Sequence, residues 1–103
     1  MRFPTIHLNG TSGSDLLEAN LRTLHKIREA QRAVDAAAPN ARDFYVQGEA
    51  SAFAEAAEAH NAVYRLLMQA SEHFDKIVTD LTRQIDEREE IIKRTARKHG
   101  DNQ

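Results

Sequence analysis

The chain has 103 residues, a formal net charge of −2 and no cysteine. That length holds one domain, 1–103, with a modest core of the kind often completed by association, and the charge excludes a globally basic nucleic-acid binder. Without cysteine there is no disulfide framework, no thiolate nucleophile and no zinc knuckle. No apolar run reaches the roughly 20 residues of a membrane span, and Met1-Arg2-Phe3-Pro4 lacks the apolar core of a secretion signal. The expectation is a soluble cytoplasmic protein with no membrane partner.

Residues 1–11 read as a short extended arm. Phe3, Ile6 and Leu8 are apolar, Thr5 and His7 polar, and Pro4 restricts the stretch to an edge or unpaired strand. Asn9-Gly10 then marks a turn. Ser12, Ser14 and Asp15 each have the chemistry of a helix N-cap, and Asp15 with Glu18 has capping-box spacing; the sequence does not choose among them. Helix one follows over 15–37. Leu17, Leu21, Leu24, Ile27 and Val34 recur at helical spacing, with Arg22, Lys26, Glu29 and Arg32 on the opposite face. Pro39 stops it.

The connection, 38–48, is longer than the about 2–8 residues a helix pair needs. Its Asp43 to Val46 stretch has strand-like composition, which fits pairing with the N-terminal arm. Helix two, 49–99, contains neither glycine nor proline and is alanine-dense from Ala50 to Ala62, which favours helix. A 4-3 spacing runs through His60, Tyr64, Leu67, Ser71, Phe74, Val78, Leu81, Ile85, Arg88 and Ile92. This is a coiled-coil-like seam with polar interruptions at Ser71 and Arg88. The fold class is therefore mainly α: a helical hairpin with a long second helix and a short extended arm.

The two helices are unequal, roughly 33 Å against roughly 70–75 Å. Past Phe74 the seam of Ile77, Val78, Leu81, Ile85, Ile91 and Ile92 is expected to lack cover within the chain. A second copy would supply it, with Phe74, Val78, Leu81, Ile85 and Ile92 as the oligomer interface. The alternative is a bend near Ser71-Glu72 that folds the distal part back as a third helix.

Two polar segments carry the functional expectation. Ile6 to Ser12 places a glycine between Asn and hydroxyl residues just before a helix start, where backbone donors and the helix dipole suit an anion; the plainer reading is strand, turn and cap. In the connection, Arg42 has the fork geometry for a phosphate or carboxylate and Tyr45 a face for stacking. The plainer reading there is a plug with Phe44 buried and Arg42 paired to Asp43. His60 with Tyr64 and His25 with Glu29 lie one turn apart but lack further ligands, so no metal is expected. The basic run Lys93, Arg94, Arg97, Lys98 and His99 suits a helix C-terminus rather than nucleic acid. No catalytic constellation is visible, so neither an enzyme nor a cofactor is expected.

The opening Ile6-His7-Leu8-Asn9-Gly10-Thr11 and the connection Pro39 to Gly48 resemble those of a group of small bacteriophage and prophage proteins. That group shares an Ile-His-Leu-Asn-Gly-Thr opening and a Pro-Asn-Ala-Arg-Asp-Tyr-Tyr-Pro-Gln-Gly connection between two helices. Phe44 and Val46 depart from the pattern, and the resemblance ends before about Asp80. It implies phage origin, hence the cytoplasm of an infected or lysogenic bacterial host, and no particular chemistry. Small phage-encoded helical oligomers often bind and block a target, and some sequester nucleotide immune signals. The expectation is a non-enzymatic, homo-oligomeric counter-defence protein that binds a phosphorylated small molecule such as a cyclic nucleotide. His7, Asn9, Thr11, Asn40, Arg42, Asp43 and Tyr45 would line its pocket. The alternative is an accessory or structural phage protein acting through protein contacts of its long helix.

Overall fold

A computed structural model describes residues 2–7, 10–47 and 50–101, without the side chains of 45–47, 50 and 99–101. Helix α1 spans Gly13–Ala36, a 3-10 helix spans Ala41–Gln47, and helix α2 spans Ala50–Asp101. The architecture is the helical hairpin with a long second arm, and no strand occurs among the described residues. α2 runs unbroken for 52 residues, about 78 Å at 1.5 Å per residue. There is no third helix folded back at Ser71. Ser71 does turn its hydroxyl onto the Met68 carbonyl at 2.9 Å, a bond that spends its polarity locally and leaves the helix intact.

The chain divides into two compact units, Thr23–His73 and Met1–Arg22 with Phe74–Gln103. In the first, Leu24 is the buried anchor at 2% exposure. Asn40 opens the 3-10 helix by accepting the Arg42 amide on its side chain at 2.9 Å and the Asp43 amide on its carbonyl at 3.0 Å. The half-buried Phe44 ring meets Phe53 on α2, centroids 6.1 Å apart and planes at 56°, the tilted arrangement aromatic pairs prefer. The strand expected over Asp43 to Val46 is thus corrected. Its aromatic composition serves helix packing, and the asparagine-capped turn decides the backbone.

In the second unit the seam of α2 is covered. Leu81 is fully buried and Ile77 is 7% exposed, while Phe74, Val78 and Ile85 are half-buried. The cover comes from the first turns of α1 and from the N-terminal arm. At Gly13 an added Cβ would stand 2.9 Å from Ile6 Cδ1 and 3.4 Å from Ile85 Cγ1, so the side chains of the arm and of α2 both pack against this first residue of α1. α1 therefore begins level with Ile85, and the seam from Phe74 to Ile85 lies within the chain's own reach. The expected interface is corrected accordingly: Leu81 belongs to the protomer core, and the exposed stretch shrinks to residues 86–98. There Ile91 and Ile92 are 60% and 66% exposed.

The arm is not a strand and has a side-chain partner instead. The Gln84 amide accepts the Ile6 N–H at 2.9 Å and donates to the Pro4 carbonyl at 3.0 Å. Each such bond contributes about 0.5–1.5 kcal/mol net. Gln84→Ala should therefore speed exchange of the Ile6 amide by about tenfold while amides around Leu81 keep their protection. Unchanged Ile6 exchange would show that apolar contact alone holds the arm.

Candidate functional site

Ser12 is the N-cap of α1. Its hydroxyl accepts the Asp15 amide at 3.2 Å and its carbonyl the Leu16 amide at 3.0 Å. This satisfies the N3 donor, and the amides of Gly13 and Ser14 are the remaining first-turn donors. Upstream, the Gly10 amide donates to the His7 carbonyl at 3.3 Å. The His7 ring lies against Gly10: an added Cβ there would come within 2.6 Å of Nε2. Glycine at this position is what leaves room for the imidazole.

These residues open onto a cleft of about 380 Å³, within the about 300–1,000 Å³ range of small-molecule sites. Its wall at the α1 end is His7, Gly10, Ser12 and Gly13; its α2 side is Ile85, Arg88, Glu89 and Ile92, with Ile6 between. A helix N-terminus, a guanidinium and an imidazole thus border one apolar-floored space. Arg88 forms no ion pair among the described residues, so its donors are available to a ligand. Glu89 adds an acceptor, which makes the cleft mixed in charge: suited to an anion at one part and a hydrogen-bond donor at another.

Of the sequence candidates, His7 lines this cleft. Thr11 is exposed beside it and is not part of the lining. Asn9 and the Tyr45 side chain lie outside the described residues. Asn40, Arg42 and Asp43 belong to the other unit, where Asn40 caps the 3-10 helix and Arg42 and Asp43 are exposed. Sequence reasoning missed Arg88 and Glu89 as site residues. The signal for Arg88 was present, a cation breaking an otherwise apolar seam; for Glu89 there was none. A second hollow of about 220 Å³, lined by Arg28, Gln31, Arg32, Asp35 and Tyr64, also went unforeseen. Among the described residues no group of three or more His, Asp or Glu side chains is placed to hold a metal ion.

No family model matches the chain, and no curated protein or solved structure matches it significantly. No helix among the described residues is long and apolar enough to cross a membrane.

The arm that brings Ile6 to the cleft is tied to a charged network on α2 through Gln84. Asp80 accepts the second amide hydrogen of Gln84 at 2.8 Å and an Arg83 hydrogen at 2.8 Å, and Arg83 also donates to Glu87 at 2.8 Å. The Arg83 hydrogen bond first, and the Gln84 bond second, hold the Asp80 carboxyl below its ordinary value. A carboxyl lowered in the folded state contributes stability that is fully present above its ordinary pKa and is lost as pH falls through the lowered one. Acidification below the ordinary aspartate range should therefore loosen the arm, read as loss of Ile6 amide protection, and Asp80→Asn should abolish that pH step. Persistence of the step in Asp80→Asn would assign it to another group.

Proposed function

We propose that the chain is a non-enzymatic binding protein for a phosphorylated small molecule, taken up in the cleft at the start of α1. The observation that carries this reading is the convergence of the first turn of α1, His7 and the unpaired Arg88 on one space of ligand size. Phosphate meets backbone donors and the helix dipole at the α1 end, and Arg88 offers charge-assisted hydrogen bonds. Ile6, Ile85 and Ile92 suit an apolar ring, and Glu89 an exocyclic amine. A nucleotide, cyclic or linear, combines these features. Phage origin and a counter-defence role, sequestering such a signal in a bacterial host, rest on the two sequence motifs.

A second reading is an accessory protein that works through contacts of the long helix. Its support is the exposure of Val63, Leu66, Ile91 and Ile92 along α2.

Calorimetry against cyclic and linear nucleotides and inorganic phosphate separates the two. Arg88→Ala should weaken binding at least about tenfold, the equivalent of one charge-assisted hydrogen bond, with helicity unchanged because the side chain is exposed. Arg42→Ala is the companion variant: weakened binding there would bring the connection of a second copy into the site. If no ligand of the panel binds the wild type, the accessory reading replaces this one.

A further inference from the structure

The order of charges along the exposed end of α2 is self-complementary. Asp86, Glu87, Glu89 and Glu90 precede Ile91 and Ile92, and Lys93, Arg94, Arg97 and Lys98 follow. All of these side chains are exposed, and Ile91 and Ile92 are the large apolar side chains among them. We propose that two copies of the chain associate antiparallel through this end of α2, about a two-fold axis passing between Ile91 and Ile92. Such an interface is isologous, so one patch must complement itself.

Helical geometry at 100° per residue sets the contacts. Arg88, Ile91, Ile92 and Thr95 share the face toward the partner. The axis sets Ile91 against the partner's Ile92, and Arg88 level with the partner's Thr95, where its long aliphatic stem packs and its charged head reaches water. On one flank Glu87 comes beside the partner's Arg94 and Lys98; on the other, Glu89 comes beside the partner's Lys93. Two-fold symmetry repeats each pair. A parallel arrangement would instead lay acid over acid and base over base, a repulsion that rejects it. The side-chain bonds now made within the helix, Arg94 to Glu90 at 3.6 Å and Arg83 to Glu87 at 2.8 Å, are between exposed groups and weak, so they do not compete strongly.

This inference does not rest on the ligand reading; the interface shares Arg88, Glu89 and Ile92 with the cleft, so its readout is self-association without any ligand. Sedimentation of the full-length protein should show a wild-type monomer–dimer equilibrium. Glu87→Lys with Glu89→Lys turns both acidic flank positions basic, and Lys93→Glu with Arg94→Glu turns the flank positions that face them acidic. Each double variant alone should be at least about tenfold weaker in self-association, the effect of turning opposite-charge pairs into like-charge pairs. An equimolar mixture restores opposite charge between positions 87 and 94 and between 89 and 93, and should associate more strongly than either variant alone, with helicity by circular dichroism equal throughout. A monomeric wild type at millimolar concentration overturns the proposal. So does equal association of wild type and both variants, which would place the contact elsewhere, and so does a mixture that stays monomeric.

Discussion

The side-chain amide of Gln84 organises the lower half of this molecule. It sits on α2 and grips the backbone of the arm at two points, the Pro4 carbonyl and the Ile6 amide. An amide is the one neutral side chain that both donates and accepts through a flat two-pronged end. It can therefore serve an extended segment much as a neighbouring strand would. Its orientation is determined: Asp80, an acceptor, takes a hydrogen from the same nitrogen that serves Pro4. A flipped amide would face two acceptors with its oxygen and leave the Ile6 donor opposite a nitrogen.

Several packing features follow from that grip. With the arm held, Ile6 reaches the start of α1, where its side chain packs into the space that Gly13 leaves open. Ile6, Gly13 and Ile85 then close over the α2 seam, with Leu81 fully buried beneath this half of the hairpin. Removing a buried leucine of this kind costs about 2–5 kcal/mol, whereas the surface ion pairs along both helices contribute roughly 0–1 kcal/mol each. The small apolar centre, rather than the many charges, holds the unit, and the polar clamp decides which segment covers it.

The helices were legible because their signals are long and periodic. A run without glycine or proline from Glu49 to His99, dense in alanine at its start, leaves the backbone little alternative. The tighter details were not. Ser12 was one of three plausible caps, and only the Asp15 amide bond distinguishes it. Phe44, Tyr45 and Val46 have strand composition, yet Asn40 accepts two amides and starts a 3-10 helix; an asparagine directly after a proline was the local cue. The partner of the arm was invisible in principle. A glutamine on a mostly charged helix follows no period, and nothing in sequence spacing ties it to a residue 78 positions away. The length argument placed the start of the uncovered seam too early, at Phe74 instead of beyond Ile85, because it compared helix lengths without knowing where α1 begins along α2.

Arg88 joins these threads. It occupies a seam position, where a cation is a loss to packing, since an apolar side chain there would extend the buried stripe from Leu81 and Ile85 toward Ile92. A buried, unpaired guanidinium would be costly, and the structure avoids that cost by ending the cover one turn earlier, at Ile85. The polar residue thus fixes where the hydrophobic seam stops. Immediately beyond that stop lie the cleft against α1 and the exposed, charge-ordered end of α2. A leucine at 88 would suit a longer core and would leave the cleft without its cation. The residue that weakens the seam is therefore the one that separates the covered part of α2 from the part left exposed.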